Sequence, residues 1–420
     1  MFRGLPWQTG IDTLTLVIEQ AAAILLRLMR SRRDPLADPE AGERAVEERP
    51  LAVRLRQAEF SDFEDVAALK DRFGLGKDTQ ENWCRLWRQN PAMAVAKSRL
   101  SMGWVLETER GIVGYQGSIP LLYRFGDRAL IVATGTSLVV EPAYRARSIG
   151  LLASFYRQTG VDLALITTAI PSVGEVSKAL GAHALPQQDY DTVLFWILDP
   201  HEFATAVAMR LGFKGRTGAA ATFWGSLILR TEMRVRRSPL GAKPPLRVTE
   251  IPVKDIGEEF QAFWTRKIGE QPRLMAERSP LCLRWHFTIP GTAATTAVLC
   301  CYRCERLMGY AILRHRIDRR TGMRKCLLAD MLAEHDDSTV IASLLEAAYA
   351  NALAAGDHVL EVMGLPRNIR QILMARNPYQ RKYPAPSFLY KVKDQGLAQT
   401  LADENAWYAS AFDGDTTLAP

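Results

Sequence analysis

The sequence contains no His-Glu-x-x-His, no Gly-x-Gly-x-x-Gly and no Walker phosphate loop. That removes the usual signatures of zinc proteases, dinucleotide enzymes and nucleoside triphosphatases. Cysteine is scarce and lopsided. Of six, only Cys84 lies in the first half, while Cys282, Cys300, Cys301, Cys304 and Cys326 lie in the second. Without a signal-peptide pattern, such placement argues against a disulfide framework and for a reducing, cytoplasmic setting. Cys301-x-x-Cys304, with Cys300 adjacent and Cys282-x-x-x-His286 upstream, lacks the two close pairs that tetrahedral zinc prefers. The expectation is free thiols and no metal. A clean membrane span is also missing. The apolar stretch Ile11 to Met29 carries Asp12, Glu19, Gln20 and Arg27, more polar side chains than a span tolerates. It reads as an amphipathic helix followed by a polar linker to Pro50. Residues 11–33, ending in Arg30-Ser-Arg-Arg33, suit contact with a partner or peripheral attachment at the inner face of a membrane.

What is present is a globular composition. The 420 residues are 48% hydrophobic and 24% charged, enough for two or three domains. Net charge is +7, and residues 201–250 hold nine Lys/Arg against three Asp/Glu. A basic excess of this kind serves a nucleic acid, an anionic membrane or a polyphosphate ligand. The segment has few aromatics for base stacking, only Phe203, Phe213, Phe223 and Trp224, so specific nucleic-acid binding is not expected. Within it, 221–237 has a helical pattern suited to a connector packed between domains, with a lipid-binding helix as the alternative.

Residues 51–200 alternate strand and helix signals in the order β-αα-βββ-α-β-α-β. A strand signal at 51–58 precedes a helix opened by a Ser61-x-x-Glu64 capping box. A helical pattern with Trp83 and Trp87, a hairpin over 103–122 and a long apolar run from Ala129 to Val140 follow. Strands at 161–168 and 192–198 flank a helix over 173–180. At the centre lies Leu138-Val-Val-Glu-Pro-Ala-Tyr-Arg-Ala-Arg-Ser-Ile-Gly-Leu-Leu152. A strand stopped by Pro142, then a short basic turn into a helix, aims backbone N–H groups and a positive helix end at one spot. That suits a pyrophosphate.

The spacing Arg145-x-x-Ser148-x-Gly150 resembles the acyl-CoA-binding motif of the GNAT acyltransferases, Arg/Gln-x-x-Gly-x-Gly/Ala, with Ser148 in place of the first glycine. Arg56-x-Ala58-x-x-x-Asp62, Gly114-Tyr115 and Lys178-Ala-Leu-Gly181 also sit where that family has similar residues. The resemblance implies an acyl-CoA-dependent N-acyltransferase, most simply an N-acetyltransferase, using acetyl-CoA or another acyl-CoA. Leu138 and Val140 would pair with the pantetheine arm. Arg145, Ala146, Arg147, Ser148, Ile149, Gly150 and Leu151 would hold the pyrophosphate, with Ser148 capping the helix. The acceptor would be an amine on a small molecule, sugar or peptide. The family's acid position holds Ser177, and its carboxylate positions on the central strand hold Thr134, Thr136 and Ser137. Glu141, Ser177 and Tyr190 are therefore the candidate catalytic groups, with His183 and Asp189 nearby in sequence.

The second half repeats these landmarks at offsets between 195 and 199: Trp285 for Trp87, Pro290 for Pro91 and Gly309-Tyr310 for Gly114-Tyr115. The phosphate turn is not repeated. Glu334-His-Asp-Asp-Ser338 stands in its place, and carboxylates there satisfy the helix N–H groups internally and oppose a phosphate. The expected fold is α/β with mixed sheets, two tandem GNAT-like domains forming a pseudo-dimer. The expected division is 1–50 helix and linker, 51–200 first domain, 201–245 basic connector, 246–393 degenerate second domain, and 394–420 a tail folded back through Trp407, Tyr408 and Phe412. A non-catalytic GNAT-like accessory protein, or a Fem-type aminoacyltransferase of cell-envelope or polysaccharide assembly, fits the same resemblance.

Overall fold

A computed structural model describes residues 51–76, 78–96, 100–236, 240–292, 294–383 and 388–418. The amphipathic stretch at 11–33 lies outside the described residues. The chain opens with β1 (Arg54–Gln57) and α1 (Phe63–Arg72), whose Glu64 and Asp65 face the positive helix end and Lys70 and Arg72 the negative end. The capping box is formed by Glu59 and Asp62 rather than by Ser61 and Glu64. Asp62 has a second tie, a two-pronged ion pair with Arg56 at 2.7 and 2.9 Å, which sets the register of the turn. Next come α2 (Gln80–Trp87), capped by Thr79, and α3 (Pro91–Val95), capped by Asn90. Trp83 and Trp87 are buried core, with ring centroids 4.2 Å apart.

Three antiparallel strands follow, β2 (Gly103–Thr108), β3 (Gly111–Phe125) and β4 (Arg128–Val140). Then come α4 (Ser148–Arg157), β5 (Leu163–Ile166), α5 (Pro171–Ala179), the short β6 (His183–Ala184) and β7 (Thr192–Ile197). A helical hairpin, α6 (Pro200–Arg210) and α7 (Gly215–Arg236), leads to the second half. There β8 (Arg247–Ile251), α8 (Glu258–Glu270), β9 (Leu274–Ala276), α9 (Pro280–Phe287), β10 (Thr295–Arg303), β11 (Arg306–Ile317) and β12 (Arg324–Ala333) precede α10 (Ser338–Ala354). The chain closes with β13 (Val359–Val362), α11 (Arg367–Met374), β14 (Tyr379–Lys382), β15 (Leu389–Val392) and α12 (Gln395–Thr400).

The strands form two mixed sheets, ordered β1-β2-β3-β4-β5-β15-β6, with β9 beside β3, and β14-β7-β13-β12-β11-β10-β8. Each sheet therefore borrows from the other half. The strand expected to end the first half, β7, pairs with β13, whereas β15 pairs with β5. β7 is buried along its whole length, and β15 is buried at Leu389 and Tyr390 and half-buried at Lys391 and Val392, so neither local pattern says which sheet the strand joins. The two Gly-Tyr landmarks occupy equivalent positions. A Cβ on Gly309 would lie 2.5 Å from the Leu332 carbonyl oxygen, and one on Gly114 2.8 Å from Leu106. Close strand approach explains both glycines. Among the described residues, no helix is long and apolar enough to cross a membrane.

Candidate functional site

The middle strands of the first sheet part company. Parallel pairing of β4 with β5 runs only from Val132 to Thr134, and β5 ends at Ile166. Beyond it, β4 continues to Val140. The divergence starts where the β3–β4 register slips by one residue, with Tyr115 opposite Val139 but Gly117 opposite Thr136. The extra residue includes Ser137 in a left-handed conformation, φ 54°, a bulge that bends the strand away from its neighbour. Three buried polar atoms near this bulge have no partner among the described residues: the Tyr115 hydroxyl, Gln116 Oε1 and Thr134 Oγ1. Such atoms are unusual in a native interior and call for a ligand or water.

At the far end of β4 the chain makes a 3-10 turn, Pro142–Arg147, and enters α4 with no side-chain cap. Leu138 and Val140 are half-buried, Arg145, Ala146 and Arg147 exposed, and Ser148, Ile149, Gly150 and Leu151 form the first turn of the helix. The Ser148 N–H is taken by the Arg145 carbonyl across the 3-10 turn, and no side chain caps the N–H groups that follow it, which lie beside two cations. Ser148 does not cap, contrary to expectation, because Arg147 occupies the cap position and the Ser148 hydroxyl donates to the Arg145 carbonyl at 2.7 Å. A Cβ on Gly150 would find only Leu55, at 3.6 Å, so protein packing does not require the glycine.

The second sheet has the same divergence and a different content. Pairing of β12 with β13 stops at Leu328, and a one-residue slip again falls on β12, between Leu328 and Asp330. Here the tail fills the gap. The Tyr408 hydroxyl donates to the Met331 carbonyl at 2.6 Å, the Leu365 N–H to the Ala409 carbonyl at 2.7 Å, and Ser410 bridges to Gly364. Trp407, Tyr408 and Phe412 are buried. Arg278, fully enclosed, holds Asp330 at 2.9 and 3.1 Å and reaches Asp413 at 3.4 Å. The hydroxyl of Tyr310, counterpart of the partnerless Tyr115, donates to Asp330 at 2.9 Å.

The acidic turn of the second half is likewise occupied: of the two expected reasons for excluding a phosphate, internally satisfied N–H groups outweigh bare charge repulsion. Glu334 is paired with Arg266 and Arg306, and Asp336 with Lys267 at 2.8 Å and Arg273 at 3.0 Å. Asp337 caps α10, accepting from the N–H groups of Thr339 and Val340. Uncompensated negative charge is therefore small. The helix end is closed because its donors are already bonded.

The candidate catalytic residues do not form a common site. Glu141 makes a surface ion pair with Arg72 at 3.0 Å. Ser177 is fully buried near Tyr156, whose phenol burial pushes up to about 12. Tyr190 is buried, its hydroxyl donating to the Ser410 carbonyl at 3.3 Å, and burial raises its pKa well above the ordinary tyrosine range. His183 is exposed on β6, and Asp189 has a left-handed backbone in the loop before β7. The group missed by sequence reasoning is Asp415. Its Oδ1 accepts from the Thr167 hydroxyl at 2.9 Å and the Thr168 hydroxyl at 3.2 Å, just past the end of β5. Thr136, at the β4 bulge, offers a third hydroxyl, and burial raises the Asp415 pKa. The approach is close enough that a Cβ on Gly414, φ 86°, would collide with Thr167. Nothing local in the tail marks Asp415, since its partners lie more than two hundred residues earlier.

The cysteines behave as packed thiols. Burial pushes Cys282 and Cys301 up to about 11 and Cys300 to about 12, while Cys304 is exposed in the β10–β11 turn. Elsewhere, His315, Cys326 and Asp357 have potential ligand atoms within 4.8 Å of one another. His315 Nδ1 is engaged with Asp357 at 2.6 Å, and burial raises the Cys326 thiol well above its usual range.

No protein-family model matches the sequence, and no curated protein matches it. Solved structures match in fold. A GCN5-related N-acetyltransferase from Anabaena variabilis ATCC 29413 aligns with a TM-score of 0.50 at 10% identity, covering 81% of this chain and 73% of that one. A conserved protein of unknown function from Enterococcus faecalis V583, described as a probable N-acyltransferase, gives a TM-score of 0.50 at 10% identity over 81% and 72%. Identity this low speaks to fold alone. The fold is thus α/β with two mixed sheets, similar to that of the GCN5-related N-acetyltransferase structure.

Proposed function

We propose that the chain is an acyl-CoA-dependent N-acyltransferase, most simply an N-acetyltransferase, with its donor site in the gap between β4 and β5. The observation that carries this reading is the asymmetry of the halves. One gap leads to an uncapped helix end beside exposed Arg145 and Arg147, whereas the other is filled by the tail. The open edge of β4 at Leu138 and Val140 suits an amide-bearing pantetheine arm, which pairs as a short strand does. The turn from Arg145 to Leu151 suits the pyrophosphate. On this reading 51–200 binds the donor, 201–245 connects, 246–393 braces the site as a degenerate domain, and 394–420 closes it.

Asp415 supplies the proton acceptor that the strands lack. An acceptor ammonium must lose a proton before its lone pair attacks the thioester carbonyl. A carboxylate with a raised pKa at the mouth of the gap takes that proton, directly or through water. The C–N bond then forms, the C–S bond breaks, and the thiolate leaves with a proton from the collapsing adduct. Asp415→Asn should lower kcat by about 100-fold with little change in acyl-CoA affinity. Acetyl-CoA should raise the melting temperature of the full chain by mass action. No stabilisation by acetyl-CoA or longer acyl-CoAs would overturn the reading. Binding without transfer to any amine acceptor would instead favour the non-catalytic alternative.

A further inference from the structure

The α6–α7 hairpin is built inside out. The face that α7 turns toward the protein carries Thr222, Ser226 and Leu229, all buried. It meets the small side chains of α6 closely enough that a Cβ on Gly225 would lie 3.3 Å from Ala204. The large apolar residues point the other way. Phe223 and Trp224 are each 60% exposed, Leu227 47% and Ile228 40%. Their spacing of one, four and five residues places them on one helical face. Met209 and Leu211, at the end of α6, are 50% and 54% exposed. Met209, Phe213 and Phe223 line one shallow groove between the helices, so the two helices present a continuous apolar surface.

Cations frame this surface. Arg210, Lys214, Arg216, Arg230 and Arg234 are exposed, and none has an ion-pair partner among the described residues. Arg216 and Arg230 lie seven residues before and after Phe223, on the same stripe of the helix, and Arg234 extends it. The acidic residues of the two helices do not offset them: Glu202 lies in the first turn of α6, and Glu232 is paired with Arg236 at 2.9 Å.

We propose that this hairpin docks the protein on an anionic lipid bilayer surface. Phe223, Trp224, Leu227 and Ile228 enter the headgroup region, where aromatic rings partition favourably. The arginines and Lys214 lie against lipid phosphates, their stems covering apolar surface while the charges stay wet. Charge selects the bilayer over a second copy of the chain. Face-to-face packing of two copies would set five cations against five and bring like charges together. The proposal is independent of acyl transfer and stands or falls separately.

The test uses the full chain with vesicles of phosphatidylglycerol and phosphatidylcholine, compared with phosphatidylcholine alone, by co-sedimentation. Binding should be at least about tenfold tighter to the anionic vesicles and should weaken with salt. Phe223→Ser/Trp224→Ser and Arg216→Glu/Arg230→Glu should each reduce it about tenfold or more, with unchanged melting temperature because all four side chains are exposed. Absence of vesicle binding, or binding equal in the variants, would overturn the proposal. So would a dimer in sedimentation that Trp224→Ser dissociates, which would make a second copy the occupant. A marked fall in melting temperature for Phe223→Ser/Trp224→Ser would mean that the chain itself covers the face, and would overturn it too.

Discussion

The β4–β5 gap and the β12–β13 gap begin alike and end differently. Each opens at a one-residue slip, after three or four paired residues, beside a Gly-Tyr pair on the neighbouring strand. At the slip the first half places Ser137 and the second Asp330. Asp330 recruits Arg278 and Tyr310 and, through Ser410 and Asp413, anchors the tail. Ser137 recruits no charged partner among the described residues, and its hydroxyl lies 3.3 Å from that of Thr136. A charged residue buried at a strand divergence demands partners, and the partners fill the space. A neutral one leaves the space for something else. The same contrast recurs one turn later, where Asp337 closes the start of α10 while α4 starts uncapped.

The largest test of this comparison is Arg278→Met. It strands Asp330 and Asp413 without their cation, and breaking one partner of a buried pair costs about 3–5 kcal/mol. Urea denaturation should show that loss, with earlier proteolysis in residues 404–418. An unchanged midpoint would mean that the tail is held by its aromatics alone. Next is Gly150→Glu. Packing leaves room for a side chain there, so the fold should survive, while a carboxylate at the helix end should weaken acyl-CoA binding by at least about 100-fold. Calorimetric titration should find one acyl-CoA per chain in the parent protein. Two equivalent sites would erase the distinction between the halves.

Asp336→Asn probes the closed turn through pH. Its neighbours Lys267 and Arg273 lower the Asp336 pKa from 3.8 to about 2. The folded pKa lies below the unfolded one, so the contribution is fully present above about pH 4 and lost as pH falls through about 2. Parent and variant should therefore differ by about 2 kcal/mol at neutral pH and converge in acid. A constant difference across that window would assign the effect to packing. The smallest effect is expected from Asp337→Ala, about 1 kcal/mol for loss of the α10 cap, with acyl-CoA affinity unaltered. Reduced affinity would place the donor in the second half.

Sequence patterning by itself marked the longer strands and helices and the paired Gly-Tyr landmarks, because periodicity and turn chemistry act within a few residues, but not the short β6, β9 and β14. It also marked the basic turn at 145–150 and its replacement by Glu334 to Ser338. It pointed to Glu141, Ser177 and Tyr190, which the fold leaves on a surface ion pair, in a core and under the tail. Only tertiary structure decided that β7 and β15 exchange sheets, that Tyr408 and Ser410 fill the second gap, and that Asp415 meets Thr136, Thr167 and Thr168 at the first. A short, mostly buried strand has no preferred sheet, and an aromatic tail no preferred cavity, until the rest of the chain has packed. Those choices belong to non-local contacts, in which residues hundreds apart in sequence satisfy one another's hydrogen bonds and exclude water.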